Sequence, residues 1–232
     1  MVLLYQEEDG FYFNSDSHFL FDFLSEFKPR GKVLDVGCGC GILGLLTARD
    51  FPISLHAIDA QAHNITLTGH NARVNKLQVC TYHDDFLSHD FQEKFDFIIS
   101  NPPYYHDGVS KSDNSVMHIS RYNEHLPLEK MIQKVNSIIA PRGHFIFCYD
   151  AKQLQAIMIA LEGAKLRVED IRFVHGRVNK ASSLIMIHAR KGSNALTKVH
   201  PPLIHFQNEQ NSQEAKNIYQ KTRTYSIKCK TR

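Results

Sequence analysis

The stretch VLDVGCGCGILG, residues 33–44, runs from an apolar segment through three alternating glycines into a helix-forming segment. Strand, glycine turn and helix in this order let a ligand approach the backbone closely, and the positive end of the helix favours anionic groups. Asp35 stands inside the end of the strand, ahead of Gly37, Gly39 and Gly41. Working outward, apolar runs alternate with amphipathic stretches. KVLDV (32–36), ISLHAID (53–59), LQVCTYH (77–83), KFDFIIS (94–100) and GHFIFCY (143–149) read as strands. GILGLLTARD (41–50), AQAHNITLTGHNARVN (60–75), LPLEKMIQKVNSIIA (126–140) and AKQLQAIMIALEG (151–163) read as helices. Short buried strands alternating with helices predict an α/β fold with βαβ units around a parallel sheet. LRVEDIRFV (166–174) and SSLIMIHA (182–189) are separated only by HGRVNKA (175–181). That link is too short for a parallel crossover, so an antiparallel hairpin at the sheet edge is expected. NSDSHFLFDFLSEF (14–27) has cap-like residues followed by an apolar helical face, and residues 106–125 read as a long polar loop.

Length and composition fit one globular domain with a small appendage: 232 residues, 43% hydrophobic and 22% charged. The segments expected are a main domain over 1–192, including an N-terminal helical cap over 1–31, and a basic C-terminal extension over 193–232. Residues 188–232 carry nine Lys or Arg against two acids, whereas the remainder carries eighteen against twenty-two. A basic tail on a mildly acidic body suits a polyanionic partner or a solvated tail. The five cysteines include no CxxC pair and the fourteen histidines no HExxH pair. Neither a disulfide framework nor a metal site is expected, and the location expected is a reducing cytoplasm. No run of apolar residues is long enough to span a membrane. The start MVLLYQEEDG lacks the basic and apolar regions of a signal peptide. A monomer is expected.

Gly39, Gly41 and Gly44 fit GxGxxG, with Asp59 twenty residues beyond Gly39, a spacing that would suit a dinucleotide. The acid ahead of three consecutively alternating glycines resembles instead the D/E-x-G-x-G-x-G turn of S-adenosylmethionine-dependent methyltransferases. By that resemblance Gly37, Gly39 and Gly41 wrap the methionine part of the cofactor, and Asp35 holds its ammonium directly or through water. Asp59 accepts from the ribose hydroxyls, and Asp84, or Asp85, faces the adenine amine. The plain alternative for Asp35 and Asp59 is a cap on a helix or turn.

The fourth strand ends in SNPPYY, residues 100–105. Pro102 and Pro103 fix two φ angles and remove two backbone donors, leaving the Pro102 carbonyl free to accept. The Asn101 side chain adds a second acceptor, and Tyr104 a flat face. Two acceptors beside a ring form a clamp for a planar NH₂ group, and a proline-stiffened strand exit is the alternative. Such an amine is a poor nucleophile until both N–H bonds are accepted, so Asn101, Pro102, Pro103 and Tyr104 are the expected catalytic group, with Asn101 also beside the cofactor.

GFYFNSDSHFLFDFL (10–24), LDVGCGCGILGLL (34–46), DFIISNPPYYHDGVS (96–110) and SRYNEHLPLEKMI (120–132) occur in this order. Together they resemble the bacterial tRNA(Val) adenine-N6 methyltransferases, which modify the adenine immediately 3′ of the anticodon. The resemblance extends into the basic segment 185–206. It implies a Rossmann-like class I methyltransferase fold: a seven-stranded, mostly parallel sheet of order 3-2-1-4-5-7-6, the last strand antiparallel, with helices on both faces. It also implies S-adenosylmethionine as cofactor and tRNA as partner. Tyr104, Tyr105, Arg121, Arg190, Lys191 and Lys198 are candidates for touching the RNA, the basic ones otherwise being ordinary solvated charges. The same NPPY clamp serves glutamine N5-methylation of release factors. Those enzymes carry a helical substrate domain ahead of the core, and 32 residues before Val33 are too few for one. An RNA-binding adaptor built on a decayed cofactor fold is a third reading, opposed by the intact turn and clamp.

Overall fold

The computed structural model describes residues 1–7, 13–102 and 126–229. In chain order its elements are β1 (Val2–Glu7), α1 (Ser15–Ser25), β2 (Gly31–Val36), α2 (Ile42–Asp50), β3 (Ile53–Asp59), α3 (Ala62–Val74), β4 (Cys80–His83) and β5 (Phe95–Ser100). Then follow α4 (Leu128–Ile138), β6 (Ile139–Asp150), a 3-10 turn (Ala151–Gln153), α5 (Leu154–Gly163), β7 (Leu166–His175) and β8 (Ser182–Lys191). The chain closes with β9 (Lys198–Val199), β10 (Leu203–Ile204), the hairpin β11 (Phe206–Gln207) and β12 (Gln210–Asn211), α6 (Gln213–Thr222) and β13 (Thr224–Cys229).

The main sheet runs β4-β3-β2-β5-β6-β8-β7, with β8 antiparallel to both of its neighbours and the other pairings parallel. Counting these seven strands alone, the order is the expected 3-2-1-4-5-7-6. Right-handed crossovers that reverse direction at β2 and β5 put α2 and α3 on one face and α4 and α5 on the other. The interior is dominated by fully buried aromatics, with Phe19, Phe21 and Phe23 from α1 facing a sheet that contributes Phe95, Phe97, Phe145 and Phe147.

Two differences from the sequence expectation stand out. First, the β7–β8 hairpin is not the sheet edge, because β9 and β10 both pair in parallel with the outer side of β7. Pro201 and Pro202 separate the two short strands, since neither can donate to a ladder. Second, the segment read as a helical cap begins with a strand. β1 pairs in parallel with β13, from Val2 opposite Thr224 to Glu7 opposite Cys229. On its other side β1 meets side chains: Asn75 Oδ1 accepts from Leu3 N and its Nδ2 donates to Leu3 O, while Asn71 does the same with Tyr5. Two amides one helical turn apart thus stand in for a neighbouring strand.

The basic tail is folded onto the body. α6 buries Ala215, Ile218 and Thr222, and Arg172 of β7 donates both to Glu214 and to the carbonyl of Pro201. A polar chain crosses the same region. His144 lies 2.9 Å from His188, whose Nδ1 meets Asp170 Oδ2, while Asp170 Oδ1 takes His200 Nε2. Burial pushes His144 down to about 3 and lowers His188, so the chain is held neutral at its sheet end. Glu169, Asp170 and His188 are close enough together to hold a metal ion, but their polar atoms are already engaged: Asp170 with His188 and His200, Glu169 with Ser193 and Arg190.

Among the described residues, no helix is long and apolar enough to cross a membrane.

Candidate active site

The sheet reverses its order between β2 and β5, which opens a crevice at the carboxyl ends of these strands. The glycine turn lies there. Gly37, Gly39 and Gly41 all have positive φ, at 68°, 56° and 84°. A side chain on any of them would be strained, but the surroundings differ. A Cβ on Gly41 would meet Thr68 at 3.0 Å, whereas one on Gly37 or Gly39 would meet nothing within 4 Å. The first is a packing requirement. The other two leave a concave strip of bare backbone facing open space, the shape a ligand lying on the turn needs.

Asp35 is buried, with Oδ2 accepting from Gly44 N at 2.9 Å. Among the described residues nothing donates to its other oxygen. Burial, reinforced by Asp59 and opposed by the Gly44 bond, raises its pKa to about 7. A cationic group beside that oxygen would relieve the penalty. Asp59 clamps the turn: Oδ2 accepts from Gly39 N at 3.0 Å, while Oδ1 accepts from Gln61 N at 2.9 Å and Asn64 Nδ2 at 3.1 Å. It therefore holds its own loop, as the cap-like reading expects. Asp84 follows β4, and its carboxylate is engaged with His89 at 2.9 Å and with Asp85 N at 2.8 Å. The His89 bond lowers its pKa first of all. Asp85 opens the next turn, accepting from Leu87 N.

Helix α3 stitches the turn from behind. Thr68 Oγ1 donates to Gly39 O at 2.9 Å, and Asn71 Nδ2 donates to Cys40 O at 2.8 Å. Asn64, Thr68, Asn71 and Asn75 form one polar stripe along the helix. None was singled out from sequence, although their spacing of four, three and four residues put polar groups where a core-facing stripe belongs. Cys38 and Cys40 are buried thiols, Cys40 pushed up to about 12 by burial, in keeping with packing roles.

Asn101 leaves β5 at the same carboxyl edge. Ser100 Oγ donates to Val36 O at 2.9 Å, which ties the exit of β5 to the exit of β2. The Asn101 amide is gripped at both ends: Nδ2 donates to Ser17 Oγ at 2.9 Å, and Cys148 Sγ donates to Oδ1 at 2.9 Å. A thiol is a donor and only a feeble acceptor, so this pairing fixes which end of the amide is oxygen. One lone pair of Oδ1 is taken by the thiol, and among the described residues no donor takes the second. Ser17 and Cys148 were also missed from sequence, because they come from α1 and β6 and only the fold brings them together. Pro102 is buried. Pro103, Tyr104, Tyr105 and Arg121, together with the loop 106–125, lie outside the described residues.

The basic candidates on β8 and β9 are not brought to this crevice. β8 runs antiparallel, so Leu184 pairs with Asp150 at the carboxyl edge while Arg190 pairs with His144. Six residues of strand put Arg190 and Lys191 about 20 Å from that edge. Arg190 donates to Arg142 O, and Lys191 Nζ donates to Asn136 O at 2.7 Å. Lys198, in β9, pairs in register with Asp170 at the middle of β7. The charge count that suggested them carries no information on which end of a strand a residue occupies.

A seven-stranded sheet of this order, a glycine turn with bare backbone, acids ending the adjacent strands and an amide at the exit of β5 define a class I S-adenosylmethionine-dependent methyltransferase. The bare backbone at Gly37 and Gly39 and the half-engaged, buried Asp35 carboxylate have the shape and charge to suit a cofactor that carries an ammonium group. The chain belongs to the Methyltransferase small domain family, whose sequence model matches residues 13–153. A tRNA1(Val) (adenine(37)-N6)-methyltransferase from Aliivibrio fischeri is 29% identical over 130 residues, 53% of each chain. A ribosomal RNA small subunit methyltransferase C from Haemophilus influenzae is 35% identical over 111 residues, 42% of this chain and 32% of that one. The chain thus aligns with about half the length, or less, of these relatives. Among solved structures, a predicted O-methyltransferase from Agrobacterium tumefaciens superposes with a TM-score of 0.69 at 16% identity, covering 92% of this chain and 100% of that one. A ribosomal protein L11 methylase from Lactobacillus delbrueckii superposes with a TM-score of 0.57 at 23% identity, covering 78% and 81%. These two likenesses concern the fold.

Proposed function

We propose that the protein methylates the N6 amine of an adenine in RNA, and that the adenine is the one 3′ of the anticodon in tRNA(Val). The observation that carries this reading is the oriented Asn101 amide, 2.9 Å from both Ser17 and Cys148, at the same sheet edge as the glycine turn. S-adenosylmethionine supplies the methyl group as a sulfonium when bound. The residues of the chain handle the amine. The spare lone pair of Asn101 Oδ1 and the Pro102 carbonyl accept its two N–H bonds, which draws electron density onto nitrogen and favours a pyramidal, nucleophilic geometry. Pro103 stiffens the acceptor pair and Tyr104 supplies the face against which the base lies. No strong base is needed, because positioning and hydrogen-bond polarisation provide the activation. An anticodon-loop adenine is unpaired, so extruding it costs little. The names of the Aliivibrio and Haemophilus relatives support an RNA substrate.

The test is to incubate the purified protein with methyl-labelled S-adenosylmethionine and an unmodified tRNA(Val) transcript, then digest and identify the labelled nucleoside. N6-methyladenosine at the position 3′ of the anticodon is expected. No label in RNA, with label on glutamine of a release-factor substrate, would overturn the reading in favour of the other amine that the same clamp fits.

A further inference from the structure

The β7–β8 loop and the β11–β12 hairpin lie side by side at the carboxyl edge of the sheet, the edge that carries Asn101. His205 N donates to His175 O at 2.8 Å and Phe206 N donates to Gly176 O at 2.9 Å, so the two turns form one ledge. Each is internally fixed. Lys180 N donates to Arg177 O, and His175 Nδ1 donates to Lys180 O at 2.8 Å. Asn208 and Glu209 both adopt positive φ, the hand a two-residue hairpin turn requires. What the ledge presents outward is unusual for loop tips: Arg177, Val178 and Lys180 are exposed, and so is the ring of Phe206. Phe206 stacks on His205 at 3.8 Å, and His205 in turn meets Phe19 and the Tyr219 hydroxyl. It is an outward-facing ring with a rigid backing.

We infer that this ledge is a nucleic-acid contact surface, holding unpaired nucleotides next to the target adenine; the assignment rests on the RNA reading above. Two cations beside an exposed, backed aromatic ring match a sugar-phosphate strand with an unstacked base. Position agrees with that occupant. Three strand spacings separate β5 from β7, placing the ledge about 14 Å across the sheet from the exit of β5, within reach of a few nucleotides. Two acids stand near the ledge: Asp16, on the inner side, acts on His205 behind the Phe206 ring, and Glu209 is on the outer side. Glu209 is the acid facing Arg177, at 3.9 Å and 87% exposed, and Lys180 makes no ion pair among the described residues. So open an ion pair holds Arg177 only weakly, and a phosphate can take its place. Arg190 and Lys191, at the opposite edge, are then not the residues that grip this part of the RNA.

Binding of a fluorescein-labelled anticodon-type stem-loop RNA to the full chain, titrated at several salt concentrations, tests the inference. Each lost phosphate contact lowers the log–log salt slope by about 0.7, so the double substitution Arg177→Ala/Lys180→Ala should lower it by about 1.4 and weaken binding about 25-fold at 0.1 M salt. Phe206→Ala should cost about tenfold with the slope unchanged, as for loss of one stacked base. Glu209→Gln should tighten binding a few-fold. S-adenosylmethionine affinity, measured by calorimetry, should stay at the wild-type value in all of them, which also reports that they fold. The ledge is refuted if the double variant keeps the wild-type affinity and slope, or if Arg190→Ala loses as much. Wild-type protein that methylates RNA adenine while every ledge variant behaves like it removes the ledge alone. Wild-type protein that neither binds the stem-loop nor labels RNA, but labels a glutamine peptide, removes the RNA reading and the ledge with it.

Discussion

Replacing Cys148 by Ala should slow methyl transfer without touching cofactor binding. The thiol lies on β6, fully buried, and donates to Asn101 Oδ1, while Ser17 takes the other end of the amide. Serine can donate or accept, so Ser17 alone does not distinguish the two flipped states of the amide; the thiol does. A neutral hydrogen bond of this kind is worth about 1 kcal/mol net, and it is lost in the alanine variant. Spread over the barrier to transfer, that is about fivefold in kcat. Cys148→Ser restores a stronger donor of nearly the same shape and should stay within about twofold of wild type in the same terms. Asn101→Ala, which removes the acceptor itself, should cost about 10²–10³ in kcat, as for other donors and acceptors aimed at the reacting atoms. The assay is single-turnover transfer of labelled methyl at saturating cofactor, beside a calorimetric Kd for S-adenosylmethionine. An alanine variant with full kcat would refute the orienting role. A Kd that rises in step with the fall in kcat would show instead that the thiol supports the packing of the whole edge.

Four further outcomes are expected. Asp35, with its pKa raised to about 7 by burial, should give up a proton when the cofactor's ammonium arrives, because a cation lowers the pKa of a neighbouring acid. Calorimetry at pH 6 in buffers of different ionisation enthalpy should then show proton release and an affinity that climbs up to about pH 7, both abolished by Asp35→Asn. In the ligand-free protein the sign is that of a raised carboxyl: the folded form prefers the proton, so stability is highest below the unfolded value of 3.8 and falls as pH rises through about 7. Thermal melts from pH 5 to 8 should show that fall, reduced in Asp35→Asn. Asp59→Ala frees Gly39 N, Gln61 N and Asn64, and should weaken cofactor binding by more than about tenfold, since bonds to a charged acceptor are each worth about 1.5–3 kcal/mol. Asn71→Ala removes the bonds to Tyr5 and to Cys40 O together and should lower stability by about 2–3 kcal/mol in denaturant titration, with Asn75→Ala costing less because it does not reach the glycine turn.

How legible the molecule was depended on whether a signal is local. The βαβ alternation and the turn at 37–41 are written in consecutive residues, and each strand of the seven-stranded sheet falls where apolar runs put it. The acids at strand ends followed from the same local logic. What stayed hidden was long-range. β1 reads as a few apolar residues until Thr224–Cys229 is placed beside it. Ser17, Cys148 and Asn101 lie on three separate elements. β9 and β10 are two residues each and carry no periodicity. Lysine and arginine counts placed the positive charge in the tail but assigned it to neither edge of the sheet, since an antiparallel strand reverses which end meets the crevice. The polar stripe of α3 was present in the sequence all along. It reads as a weak helix face unless one asks which backbone groups two asparagines a turn apart could satisfy.

The pairing of β1 with β13 has a kinetic consequence. During synthesis at roughly 5–20 residues per second, Val2 is made about 10–45 s before its partner Thr224 exists. For that interval the early strand has only the asparagine side of its groove, and the other side is open. Asn71 serves both that strand and the carbonyl of Cys40, so the glycine turn shares its support with a strand whose second partner is made last. A ribosome that stalls, or a protease that clips ahead of residue 224, would leave a body with its main sheet complete and its first strand held along one side only.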